Sequence, residues 1–143
     1  MDRRLNLPAS IEAEISTLRE TFEIFDNPKD KFVQLMDMAK VQRPFKKEDR
    51  VESNKIYGCS SQAWVVTKEN GDSTFSFRTD SDALIVKGLL LILEKIFNNQ
   101  TADEILSVDS QYILHSIGLE GSVTSQRSNG FSSAVEKIHK LVQ

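Results

Sequence analysis

The stretch Ala63-Trp64-Val65-Val66-Thr67-Lys68-Glu69-Asn70-Gly71-Asp72-Ser73-Thr74-Phe75-Ser76-Phe77-Arg78-Thr79 decides the fold class. Ala63 to Thr67 is rich in β-formers, and Phe75, Phe77 and Thr79 alternate with Thr74, Ser76 and Arg78, the period of a half-buried strand. Asn70-Gly71 between the two runs is a strong hairpin signal, because both residues tolerate the backbone angles of a tight reversal. A two-stranded ribbon is marginal on its own and needs helices over one face. A short third strand is expected near Ser53 to Ile56.

Downstream the period changes to that of helices. Ser81 is read as the cap of the most apolar helix, with Asp82 in its first turn. Ala83 to Phe97 leaves little polar face, so this helix is central and well covered. Gly88 inside it lowers helix stability by about 1 kcal/mol against Ala, which points to a close backbone approach, to the sheet or to the loop before it. Asn98-Asn99 ends the helix. Thr101-Ala102-Asp103-Glu104 fits a capping box and opens a short helix to about Val108. Another runs from Ser110 to Ile117 and stops at Gly118. The last covers Ser125 to Val142, with Phe131, Val135, Ile138 and Leu141 facing inward.

Upstream, Pro8-Ala9-Ser10 begins a helix with Ser10 as cap and Glu12 and Glu14 in its favourable first turn. Ile11, Ile15, Leu18, Phe22 and Phe25 form one stripe, read as packing on the chain's own core rather than as a partner-binding face. Asn27-Pro28 starts a second helix, which buries Phe32, Leu35, Met36 and Ala39. Residues 41–55 break the pattern. Pro44 bars a helix, and Arg43, Lys46, Lys47, Glu48, Asp49 and Arg50 read as a solvated loop, with a docking edge as the functional alternative. The chain is therefore α+β, a small antiparallel sheet packed against several helices.

At 143 residues, residues 1–143 are expected to form one domain with a core of its own. A net charge of −3 lacks the basic field that nucleic-acid binding needs. One cysteine excludes an internal disulfide and a self-contained zinc or iron–sulfur site, which need several thiolates. The start Met1-Asp2-Arg3-Arg4-Leu5 has no apolar run behind it, and the longest apolar run, near Leu89 to Leu93, is too short for a bilayer. A reducing, cytoplasmic setting is expected, or an organelle interior if a transit peptide has been removed.

That one cysteine sits in Ile56-Tyr57-Gly58-Cys59-Ser60-Ser61-Gln62-Ala63-Trp64, just upstream of the hairpin and beside the only tryptophan. Two readings stand at this point. A lone cysteine is often a small core hydrophobe. One in a loop, flanked by Gly and Ser, is a better candidate for a working thiol. His115 and His139 lack any local signature of a catalytic base.

Three blocks in order resemble the SufE family, the sulfur acceptors that partner cysteine desulfurases in iron–sulfur cluster assembly. They are Asn54-x-Ile56-x-Gly58-Cys59-x-Ser61-Gln62-x-Trp64, Ser81-Asp82-Ala83-x-Ile85-Val86-Lys87-Gly88-Leu89 and Thr124-x-x-Arg127-Ser128-x-Gly130. The first is the most specific. Ser60 departs from it, since relatives often carry a larger residue there. The resemblance covers most of the chain, least before Asn27. It implies a SufE-like fold, itself similar to that of cluster scaffolds.

It further implies that Cys59 takes persulfide sulfur from a SufS-type desulfurase, stimulates that enzyme and delivers the sulfur to an iron–sulfur scaffold complex. The chain would act as an accessory sulfur carrier rather than a stand-alone enzyme. Pyridoxal phosphate would belong to the desulfurase and no cofactor or metal to this chain, a monomer or weak homodimer with no nucleic-acid or membrane partner. In this scheme Arg127 lies beside the Cys loop and supplies the cation that favours a thiolate. Gly58, Ser61 and Gln62 shape the loop, Trp64 shields the sulfur and Asn54 braces the loop. Asp82 touches the loop or the partner, with Lys87 a further candidate. The competing classes are a non-catalytic adaptor in which Cys59 is structural, and a thiol enzyme with its own small substrate.

Overall fold

The computed structural model describes residues 10–42 and 44–143. The expectations for Met1 to Ala9 and for Arg43 lie outside those residues. The chain opens with two helices, α1 (Ile11–Glu23) and α2 (Pro28–Lys40). A segment with two 3-10 turns, Lys47–Asp49 and Glu52–Asn54, then leads to the hairpin of β1 (Ala63–Glu69) and β2 (Thr74–Ser81). After α3 (Leu84–Phe97) come a two-residue strand β3 (Gln100–Thr101), α4 (Ala102–Leu106), α5 (Ser110–Ser116) and α6 (Ser125–Val142). The sheet is antiparallel throughout, in the order β1-β2-β3, so the architecture is α+β.

Local chemistry fixes most boundaries. Ser10 accepts from the Ala13 amide at 3.1 Å and Asn27 from that of Asp30 at 2.9 Å, and Pro28 stands at the start of α2 where its missing N–H does no harm. Thr101 and Glu104 form the reciprocal capping box. Asp109 and Thr124 cap α5 and α6. Gly118 ends α5 in the left-handed region, at φ 80°. The α1 stripe packs inward through Ile11, Ile15, Leu18 and Phe22.

Several expectations are corrected. The third strand is Gln100–Thr101, paired with Thr74 and Phe75. Ser53 to Ile56 contributes only a 3-10 turn and a single Lys55–Trp64 bridge, because the Glu52 carbonyl accepts from the Lys55 amide and curls the chain. Ser81 is the last residue of β2 rather than a helix cap; α3 starts after Ala83, with no side-chain cap, and Asp82 lies outside its first turn. Leu141 is 37% exposed, and Val142 is buried in its place. The hairpin reverses through Asn70 to Thr74, where the left-handed residue is Ser73 (φ 68°) and not Gly71. There the Asp72 carboxylate accepts from both the hydroxyl and the amide of Thr74, which lowers its pKa.

Ten of the fourteen residues of α3 are buried, so it is a core helix on nearly every side. α1, α2, β2 and α6 all pack on it. Gly88 makes the α2 crossing possible: a methyl group on it would stand 2.9 Å from the carbonyl carbon of Leu35. The close approach is therefore to α2, not to the sheet or the Cys loop. Lys46, Lys47 and Glu48 are exposed as the solvated reading expects, but the segment is tied to the fold at a few points. The Gln42 amide donates to Glu94 of α3 at 2.6 Å, and Arg78 donates to the Pro44 carbonyl at 2.8 Å. Among the described residues no helix is long and apolar enough to cross a membrane.

Candidate functional site

Cys59 lies on a loop, 57–62, whose two ends are pinned to the start of the hairpin. At the incoming end the Ile56 amide donates to the Ala63 carbonyl at 2.8 Å. At the outgoing end Gln62 is clasped from both sides. Its amide donates to the Asp82 carboxylate at 3.1 Å, and its carbonyl accepts from the Asp82 amide at 3.1 Å and the Ser81 hydroxyl at 2.8 Å. Gly58 makes the turn between them at φ 92°, which a side chain would strain. It lies so close to α6 that a Cβ there would collide with the Ser133 hydroxyl.

The turn aims the thiol inward. Cys59 is half-buried, and a methyl on Gly130 of α6 would stand 3.1 Å from its sulfur. Around it lies a cavity of about 10 Å³, lined mainly by apolar side chains from three directions: Ile56 and Ala63, Val86 and Leu89 of α3, and Phe131 of α6. Such a volume is at the lower limit for one water molecule, and an apolar lining gives water few partners. Arg127 is the charged residue of that lining. It also lines an outer cleft of about 230 Å³ with Ser60, Ser61, Thr124 and Gln126. Its guanidinium lies 4.9 Å over the Phe32 ring, and no carboxylate among the described residues pairs with it. The arrangement offers a sheltered sulfur atom, a charged group that bridges shelter and surface, and a loop held at both ends.

The residues singled out in the sequence divide into two groups. Gly58, Cys59, Ser61, Gln62, Asp82 and Arg127 come together at the loop. Trp64 does not: Ala63, beside it in β1, lines the cavity, while the indole faces the other side of the sheet under Arg50, 5.7 Å from its guanidinium carbon. Strand alternation is the reason, since neighbouring side chains take opposite faces. Asn54 reaches back rather than forward, donating to the Asp49 carbonyl at 2.9 Å, so it joins the two 3-10 turns instead of bracing the Cys loop. Lys87 pairs with Asp80 at 3.4 Å. His115 pairs with Glu120 at 3.2 Å and His139 meets Phe97 edge to face; neither lines the cavity.

Sequence reasoning missed the packing roles of Gly130 and Ser133. A glycine inside an otherwise good helix was the available signal for Gly130, by the argument already used for Gly88. The Asp80 pairings were missed too, because an acid in a strand that reads as half-exposed gives no hint of burial.

Comparison with known proteins bears on the family and the fold. The SufE profile, described as an Fe-S metabolism associated domain, matches residues 16–142. An uncharacterized SufE-like protein of Rhizobium etli is 35% identical over 131 residues, covering 90% of this chain and 88% of its own. An uncharacterized SufE-like protein of Synechocystis is 32% identical over 135 residues, covering 94% and 81%. Among solved structures, a hypothetical protein of Thermus thermophilus superposes with a TM-score of 0.73 at 18% identity, covering 90% of this chain and 93% of its own, a likeness of fold.

Proposed function

This chain belongs to the SufE family, and on that premise we propose that Cys59 is the acceptor thiol of a sulfur carrier serving iron–sulfur metabolism. The donor is the persulfidated cysteine of a SufS-type desulfurase. The Cys59 thiolate attacks the terminal sulfur of that persulfide. A new S–S bond forms at Cys59, the donor's S–S bond breaks, and the donor cysteine leaves as a thiolate. The Cys59 proton goes to solvent or to the leaving thiolate, and no outside oxidant or reductant is needed. Arg127, which lines both the cavity and the outer cleft and rests its guanidinium over Phe32, is the cation available to an anionic sulfur there. Pyridoxal phosphate stays with the desulfurase, and the loaded sulfur passes to a cluster scaffold.

The observation that carries the reading is the seat of Cys59: a half-buried thiol on a pinned loop, packed against Gly130 in a small apolar cavity that Arg127 also lines. A purely structural cysteine needs no arginine beside it. A carrier needs shelter for a reactive sulfur between donor and acceptor. The test is mass spectrometry of the chain after incubation with a SufS-type desulfurase and cysteine, with Cys59→Ser as control. A reducible gain of one sulfur on Cys59, absent from the variant, is expected. Docking without any gain would instead favour an adaptor, and turnover of a small substrate without desulfurase would favour a thiol enzyme.

A further inference from the structure

Asp80 is a buried acid that the sulfur chemistry does not use, and it stands where both ends of the Cys loop are referenced. Its side chain is 1% exposed. One oxygen, Oδ2, accepts a fork from Arg50, with Nε at 2.8 Å and a terminal guanidinium nitrogen at 2.6 Å. The other, Oδ1, has among the described residues the Lys87 ammonium at 3.4 Å. A carboxylate so deeply buried is tolerated only when paired, and removal of one partner leaves an exacting demand on the others.

The residues on either side of these contacts give Asp80 its reach. Along the chain it is followed by Ser81 and Asp82, which clasp Gln62 at the outgoing end of the loop. Across the sheet it faces Trp64, whose backbone bridges to Lys55 at the incoming end. Arg50 covers that same Trp64 ring and anchors the segment of 3-10 turns that feeds the loop. One carboxylate thus lies next in the chain to the outgoing stem and, through Arg50, contacts the segment that leads into the incoming one.

We propose that Asp80, gripped by Arg50 and Lys87, is the positioning residue that keeps the Cys59 loop closed against α6. Loss of the grip lets the stems separate and frees the loop from Gly130 without unfolding the core. The inference concerns loop closure alone, so it stands or falls independently of sulfur transfer.

The experiment measures alkylation of Cys59 in the full chain across low urea, alongside urea unfolding of each variant. Arg50→Met should raise the labelling rate about tenfold or more, the order of effect of losing a charge-assisted fork. The rate should stay nearly flat in low urea, because local opening exposes little new surface. Arg50→Lys should recover part of the protection, since an ammonium keeps the charge and loses the fork and the stack. Lys87→Met should change the rate least. Hydrogen exchange at the Gln62 amide gives a second readout and should accelerate in step with labelling. Asp80→Asn is the direct variant; if it fails to fold, Arg50→Met, altered at a half-exposed side chain, decides alone. Labelling at the wild-type rate in Arg50→Met would overturn the proposal. So would labelling that rises only along the steep urea dependence of global unfolding.

Discussion

Two glycines perform one geometric task at opposite sides of α3, and the difference between them separates the frame of this protein from its working part. Gly88 lets α3 cross α2 with backbone against backbone: the atoms nearest its missing side chain are the carbonyl group of Leu35. Gly130 lets a loop lie on α6, and the nearest atom is the Cys59 sulfur, the free end of a side chain. Neither helix backbone at the first contact can retreat without dragging its buried partners. A loop held by a few hydrogen bonds at its ends can. The same residue type thus makes a fixed joint at one position and a releasable seat at the other.

Substitution at the joint should give the largest effect. Gly88→Ala gains about 1 kcal/mol of helix propensity. It also overpacks a crossing whose obstacle is backbone, a penalty of about 1–3 kcal/mol that the buried surroundings push to the upper end. A net loss of about 1–2 kcal/mol is expected in urea unfolding. A variant as stable as the parent would erase the distinction between the two glycines.

Next comes Gly58→Ala, at the turn of the loop. A side chain at φ 92° is strained by about 1–2 kcal/mol, and the new methyl also meets the Ser133 hydroxyl. The two penalties separate in a double variant. Ser133→Ala removes the collision and leaves the strain, so Gly58→Ala/Ser133→Ala should be more stable than Gly58→Ala and less stable than Ser133→Ala. Full restoration would mean that the backbone angle carries no strain.

Gly130→Ala should move stability least of the three, by less than about 1 kcal/mol, because helix propensity and the push on the sulfur oppose each other. Its signature is kinetic. A methyl 3.1 Å from the sulfur displaces Cys59, so alkylation should speed up by roughly severalfold at nearly unchanged stability. Equal labelling rates in Gly130→Ala and the parent would make the seat as rigid as the joint.

The frame was legible in the sequence to the extent that its signals are local. Caps at Ser10, Asn27 and Thr101, the hairpin and the apolar run of α3 are each set by neighbours within a few residues, and the structure has them. The third strand was not legible. Gln100–Thr101 is two residues long and exists because the end of α3 places it beside β2, a tertiary cause. Gly88 was recognised as a close approach, but its partner was not, since one chain cannot say which helix crosses it. At the site, the Cys loop was nameable as a candidate from its Gly and Ser neighbours, and Arg127 only through family resemblance. Trp64 was put on the wrong side of its strand because shielding was inferred from proximity in sequence, and alternation sends neighbours apart. Two polar ties of the segment after α2 were illegible for a related reason: only the fold shows that Arg50 and Gln42 find buried carboxylates.

Glu94 provides the smallest test and sharpens the comparison from within the frame, where it is the polar exception on α3. Its carboxylate is buried and accepts from Gln42 at 2.6 Å and from the amide and hydroxyl of Thr79 at 2.9 and 2.5 Å. Burial raises its pKa above the ordinary 4.5, and the Thr79 and Gln42 donors and nearby Arg78 only partly oppose this. The folded state therefore holds the Glu94 proton to higher pH than the unfolded chain does. The associated stability is fully present below the ordinary value and is lost as pH rises through the raised one. Glu94→Gln removes this titration and keeps an acceptor for Thr79. Stability of Glu94→Gln relative to the parent should thus increase between about pH 4 and pH 7 in urea unfolding. Asp72, whose pKa is lowered, titrates in both proteins and cancels in the difference. A difference that is flat, or that shrinks as pH rises, would mean that the frame tolerates the Glu94 charge without penalty. The hydrogen bonds of Thr79 and Gln42 would then outweigh burial at this position.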